Sequence, residues 1–261
     1  MRSTGLFDSP GDCIPELPEL LADLMAITPN MPARRVVRMF RNEPELAETL
    51  QSMAEAPYYC GRRPLNTLGR ILERVGLAGM RGLTVRASLD DLIYNKAQPL
   101  HNQIRRHGTA SAYATTVLGR YTPLSTDRLF IAALLQNVGL AIPLNSPASQ
   151  DIPETELWLA IRYAHEGISG LAVSFWQLSE EVQCIVNHHH QLGRGLSDDR
   201  DVAALVVADY VVSSMDLGID HPAHPEFDEG TLGLALDILE LNSSQLPDIQ
   251  REVSDLLMLI K

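Results

Sequence analysis

The most apolar run in the chain is Leu129 to Leu144, LFIAALLQNVGLAIPL, and the uncharged amides Gln136 and Asn137 lie in its middle. Around it, apolar positions recur at helical spacing, and no stretch alternates as a convincing strand. In Pro15–Ile27, Leu17, Leu20, Leu21 and Leu24 share a face, and Pro29 ends the helix. Short helices follow over Pro32–Phe40 and Pro44–Ala54. Two more are expected over Pro64–Val75 and Leu77–Leu92, with the break at Gly76 and Gly79. Beyond a hinge around Pro99, helices are expected from about His101 to Tyr121, over Thr126–Leu140, Glu154–His165, Gly167–Trp176, Ser179–His189 and Asp201–Asp216. Thr231–Leu241 and Leu246–Ile260 close the chain, and Ile249, Val253, Leu256, Leu257 and Ile260 mark the docking face of the last helix. Ser179, followed by Glu180 and Glu181, is an N-cap signature. The expectation is an all-α protein in parts: a flexible tail at 1–12, an N-terminal helical subdomain at 13–95 and a second helical subdomain at 96–261.

Composition fits this reading. Aromatic residues make up only 5% of the 261 residues, so the core must be built from Leu, Ala, Val and Ile, which favours packed helices. The net charge of -12 is uneven: residues 1–95 carry 11 basic against 12 acidic side chains, and residues 96–261 carry 10 against 21. Such an acidic half repels nucleic acid and anionic membrane. Cys13, Cys60 and Cys184 are too few and too scattered for a disulfide framework, which points to a reducing cytoplasm. There is no signal-peptide h-region, and no run reaches the roughly 18 apolar residues that span a bilayer. Arg34, Arg38 and Arg41 recur on one side of a short helix, either as a solvated face or as a surface for an acidic partner.

The second half carries ligand-type residues on otherwise apolar helices: His107, His165, His188, His189 and Asp209. His189 follows the stripe of Val182 and Ile185 inward, and Asp209 shares a face with Leu205 and Val212. An inward carboxylate is costly unless it is paired or bound to a cation. Phosphate-loop and nucleophile-elbow motifs are absent. Trp158 and Trp176 are expected to fill the core.

The stretches RRHGTASAYA, AALLQNVGLAIPL, YAHEGISGLAVSFWQLSEEVQCIVNHHHQ and DVAALVVADYVVSSM, in that order, resemble the HD superfamily of metal-dependent phosphohydrolases. With IPELPELLADLM and the run from PARRVVRMF to GLAGMRGL, the whole chain resembles its HDOD branch over roughly residues 12–215. The resemblance places His107 at the first metal-ligand position, Gln136 and Asn137 at the signature His-Asp pair, His165 at the next His, His188 or His189 at the following one, and Asp209 at the final Asp. The signature pair is therefore missing. An Asn brings a dipole where an Asp brings a charge, and a Gln amide is a weak donor beside imidazole. The resemblance implies a non-catalytic bacterial signalling or regulatory module that binds a protein partner in trans, with no cofactor. On this reading Gln136 and Asn137 hydrogen-bond to the remaining histidines and Asp209 in a dry, metal-free pocket. A residual three-His site for Zn²⁺ or Ni²⁺, a divergent phosphohydrolase acting on cyclic dinucleotides or other phosphoesters, and a nucleotide sensor without hydrolysis stay open as alternatives.

Overall fold

The structure is a computed structural model that describes residues 13–26, 31–54, 67–94, 98–193, 199–221, 224 and 228–258. The expected tail at 1–12 and Cys60 lie outside them. The described residues form α-helices joined by short 3-10 and π turns, with no strand among them. Helix α1 (Glu19–Ala26), α2 (Ala33–Met39) and α3 (Pro44–Ala54) pack on the long α4 (Leu68–Leu92). The expected break in α4 is at Gly76, whose φ of 70° lies in the region open to glycine, and the helix resumes beyond it.

At the centre of the second half is α5 (Pro99–Leu118), buried along most of its length. Packed on it are α6 (Thr126–Leu135), α10 (Asp199–Val212) and α12 (Leu246–Met258). Helix α7 (Val138–Ala141) lies on α8 (Glu154–Phe175), which packs on α9 (Glu180–Asn187); α11 (Glu229–Leu239) covers α10. Apolar side chains from Ile14 to Leu256 form one connected core across the boundary expected near 93–100, of which residues 95–97 lie outside the described set. Side-chain hydrogen bonds also cross that boundary: Trp176 Nε1 donates to Pro15 O at 2.8 Å and Asn145 Nδ2 to Ile93 O at 2.9 Å. One described stretch, Thr126–Asn145, is long and apolar enough to cross a membrane, and 78% of it is buried inside the fold.

Three helix boundaries differ from the sequence expectation. The helix expected over Thr126–Leu140 breaks at Gln136–Asn137, where Asn137 has φ −109° and ψ 10°. Ser169 on α8 makes up for the broken ladder: its Oγ donates to Gln136 O and accepts from Gly139 N, each at 2.8 Å. The break expected near Gly167 is absent, because both flanking segments bury the same face and α8 runs through it. Helix α10 stops at Val212 and passes through a π turn, Ser213–Leu217, with Asp216 at φ 58°. That turn aims the Leu217 carbonyl back at α5. The Ser179 cap is present, its hydroxyl accepting from Val182 N. Trp176 is buried as expected, whereas Trp158 is only half-buried and stands edge-on to His221.

Candidate functional site

The polar residues singled out in the sequence lie where α5, the α6–α7 break, α8, the end of α9 and α10 meet. His107 and Ser111 are one turn apart on α5 and fully buried. Gln136 and Asn137 occupy the break and are also buried. His165 comes from the middle of α8, His189 from just past the end of α9, and Asp209 from α10. These groups separate into two clusters.

The first is closed. Asp209 Oδ1 accepts from Gln136 Nε2 at 2.7 Å, His107 Nε2 at 3.1 Å and Ser111 Oγ at 3.2 Å. His107 Nδ1 faces the Leu217 carbonyl at 3.1 Å. A carbonyl and a carboxylate can only accept, so both ring nitrogens of His107 donate and the ring is an imidazolium. Burial pushes the His107 pKa down, but the charge of Asp209, its hydrogen bond and the Leu217 carbonyl together raise it above the ordinary value. Burial likewise opposes ionisation of Asp209, and His107 outweighs it, holding the carboxyl down to about 2.

The second cluster is open. His165 Nδ1 lies 2.8 Å from Arg162 O and His189 Nδ1 lies 2.7 Å from Val186 O, so each donates its Nδ1–H to a carbonyl one turn back. Both rings are thereby fixed as neutral tautomers with the lone pair on Nε2, and neither buried Nε2 has a hydrogen-bond partner. Burial, then the charge of His190, lowers the His165 pKa to about 4. Burial dominates at His224 too, taking it to about 3. The ring of His190 lies 4.1 Å from that of His189 and 5.2 Å from that of His165, centroid to centroid. His224 stands between the clusters, 5.7 Å from His190 and 6.0 Å from His107.

A cavity of about 830 Å³ opens beside both clusters. Its lining carries four carboxylates, Asp209, Asp216, Asp220 and Asp228, against one guanidinium, Arg162. Neutral histidines and carboxylates make this space favourable for a cation and unfavourable for a phosphate.

The positions at which the resemblance implies a two-metal centre do not fit one. The Gln136 amide points N–H, not oxygen, at Asp209, and His107 has no lone pair to give while both its nitrogens donate. His188 turns away, its Nδ1 2.8 Å from Cys184 O, so the inward member of the His188–His189 pair is His189. Gln136 does bond to Asp209 as expected. The Asn137 amide has no partner on either atom. Arg34, Arg38 and Arg41 lie apart from this site, exposed around a depression of about 350 Å³ that Val37, Phe40 and Leu68 also line.

Sequence reasoning missed His190, His224 and Ser111. The run His188-His189-His190 carried a signal for the first, since a turn after α9 can present two of its three rings to one point. His224, in the HPAHP loop, had no periodicity to place it. Asp201, also missed, is buried against Arg128 at 2.6 Å, a structural pair joining α6 to α10.

Residues 14–192 match the HDOD domain. Among solved structures the chain is similar to an HDOD domain protein with unknown function from Geobacter sulfurreducens, at 16% identity and TM-score 0.68, covering 97% of each chain. It is similar to a proposed phosphohydrolase from Shewanella amazonensis SB2B at 13% identity and TM-score 0.71, covering 99% of this chain and 97% of that one. A proposed signal transduction protein from Marinobacter aquaeolei VT8 aligns at 15% identity and TM-score 0.71, over 98% of this chain and 60% of that one. At these identities the likeness shows the fold. No curated protein matches.

Proposed function

Since the chain belongs to the HDOD domain family, we propose that it is a non-catalytic, cytoplasmic regulatory module of bacterial signalling that acts by binding another protein. The observation that carries this reading is the hydrogen bond from Gln136 Nε2 to Asp209 Oδ1. It places an amide donor where hydrolysis through a two-metal centre would need a ligand, and it leaves His107 and Asp209 neutralising each other. The HD-like pocket is thereby kept as structure while its chemistry is lost.

Two surfaces suit a protein partner. On α8, Leu159, Tyr163, Gly167, Leu171 and Phe175 recur every fourth residue along the exposed side, with Tyr163 81% and Phe175 47% exposed. Large apolar groups lined up toward water mark an interaction surface more often than chance exposure does. The Arg34, Arg38 and Arg41 face offers an acidic partner three guanidinium groups. A nucleotide-sensing role is the weaker reading, because the carboxylates around the cavity oppose a phosphate.

Turnover assays with phosphoesters and cyclic dinucleotides, run with added Mn²⁺, Mg²⁺ or Zn²⁺, test the reading. The expectation is no turnover. Hydrolysis that disappears in both His107→Ala and Asp209→Ala, with the fold intact, would overturn it in favour of a divergent phosphohydrolase.

A further inference from the structure

The open cluster has no place in the regulatory reading, and its chemistry is specific. His165, His189 and His190 offer ring nitrogens that all lie within 4.8 Å of one another. Two of the three are held as a ligand set would be. The Nδ1–H groups of His165 and His189 are each tied to a carbonyl, which fixes the tautomer and leaves Nε2 as a buried lone pair without a partner. A buried acceptor without a partner is costly, so two beside each other call for a common one. The turn bearing the third ring is anchored as well. The backbone N–H of His190 donates to Glu166 Oε1 at 2.9 Å, and Glu166 is the residue after His165. The cavity beyond supplies the charge that a bound cation needs.

We propose that His165, His189 and His190 form a mononuclear site for a late first-row divalent cation, with Zn²⁺ the natural probe. Three neutral imidazoles with no carboxylate suit Zn²⁺, Ni²⁺, Co²⁺ or Cu²⁺ and not Mg²⁺ or Ca²⁺. In tetrahedral zinc the metal–nitrogen distance is about 2.0–2.1 Å, which puts ligand nitrogens about 3.4 Å apart. Binding would draw the three nitrogens, now within 4.8 Å of one another, in to that spacing. The fourth position faces the cavity, on the side of His224. This set differs from the one the HD resemblance implies: it uses His190, which no signature position covers, and neither Gln136, Asn137 nor Asp209. A metal here would clamp the turn after α9 onto α8, and, on the regulatory reading proposed above, couple metal supply to the helix that carries the exposed apolar stripe.

The test uses the full chain, purified without an affinity tag and stripped of metal, and titrated with Zn²⁺ in a calorimeter and with Co²⁺ in the visible range. One equivalent is expected, with the absorption of tetrahedral Co²⁺ and a rise in melting temperature. His165→Gln and His190→Ala should each weaken binding at least about tenfold, the scale on which even indirect partners of a ligand act. His190 is the less buried of the two, and its variant keeps the test readable if His165→Gln fails to fold. His107→Ala and His188→Ala should leave one equivalent. No Zn²⁺ binding, or Zn²⁺ binding that His190→Ala leaves unchanged, overturns the proposal and leaves the regulatory reading standing. Two equivalents, one lost in His107→Ala, with phosphoester turnover, would overturn both. One equivalent with turnover would overturn the regulatory reading alone.

Discussion

Around one pocket, two sets of polar side chains are buried in the same apolar bundle and treated in opposite ways. In the set around Asp209, every strong donor aimed at the carboxylate finds it, and charge is balanced by His107. In the set around His165, the rings are held from behind while their forward nitrogens meet no protein partner. The first closes on Asp209, leaving only Gln136 Oε1 in it without a partner; the second leaves two Nε2 lone pairs without one. The difference shows that polar groups buried around one pocket need not be satisfied to the same degree. Gln136 and His107 close up around Asp209, whereas His165 and His189 each keep an unpartnered Nε2.

The comparison predicts unequal costs. Removing Asp209 should be the most severe change, because it strands the buried imidazolium and two further donors, on Ser111 and Gln136. Asp209→Ala is expected to lower unfolding stability by about 3–5 kcal/mol, measured by urea denaturation at neutral pH. Much of that loss should be recovered in the double variant with His107→Ala, which removes the stranded charge; a double variant as damaged as the sum of the two singles would show that the two groups are not coupled. Gln136→Ala comes next. It deletes one hydrogen bond to a charged group, at about 1.5–3 kcal/mol by the same measurement.

Acid acts on the two sets in different pH windows. In the metal-free protein the folded-state pKa of His165 is lowered from 6.5 to about 4. The unfolded chain therefore takes up a proton in that window that the folded chain refuses, and stability falls as pH drops from about 6.5 to about 4. The rings facing His165, those of His189 and His190, are shifted in the same direction, and Glu166 beside it acts the other way. The Asp209 set behaves differently. With Asp209 lowered from 3.8 to about 2 and His107 raised from 6.5, its contribution is fully present between about pH 4 and 6.5, and it is lost as pH rises from there through the folded pKa of His107 or falls from about 4 toward about 2. Urea midpoints at pH 7 and pH 5 should show the decline, and His165→Gln should reduce it; an unchanged slope would mean His165 is protonated in the fold. The smallest effect is expected on the surface of α8, where Tyr163→Ser and Phe175→Ser should change stability by about 0.5 kcal/mol or less while weakening partner binding in a pull-down.

Much of this was legible in the sequence. Helical periodicity placed most helices, the Ser179 cap and the Gly76 break, because each rests on local chemistry. It also turned His189 inward. The interruption at Gln136–Asn137 was hidden, since apolar residues continue on both sides and the compensating hydroxyl, Ser169, is 33 residues downstream of Gln136. Gly167 misled in the other direction: its local cost is small beside the burial of the flanking turns. Asp209, the partner of His107, is 102 residues away and Arg128, the partner of Asp201, is 73 away, distances at which no periodic pattern operates. His190 and His224 converge with the other histidines only through the packing of α8, α9 and the loop after α10.

Gly139 carries a mechanical consequence. A Cβ there would run into the His165 carbonyl and lie 2.8 Å from Ser169 Oγ, so the α6–α7 break and α8 touch backbone to backbone with no side chain to cushion them. A contact of that kind has almost no slack. Any displacement of the His165 peptide would therefore be passed to the segment that carries Gln136. The two polar sets, so different in chemistry, are joined through a stiff backbone contact.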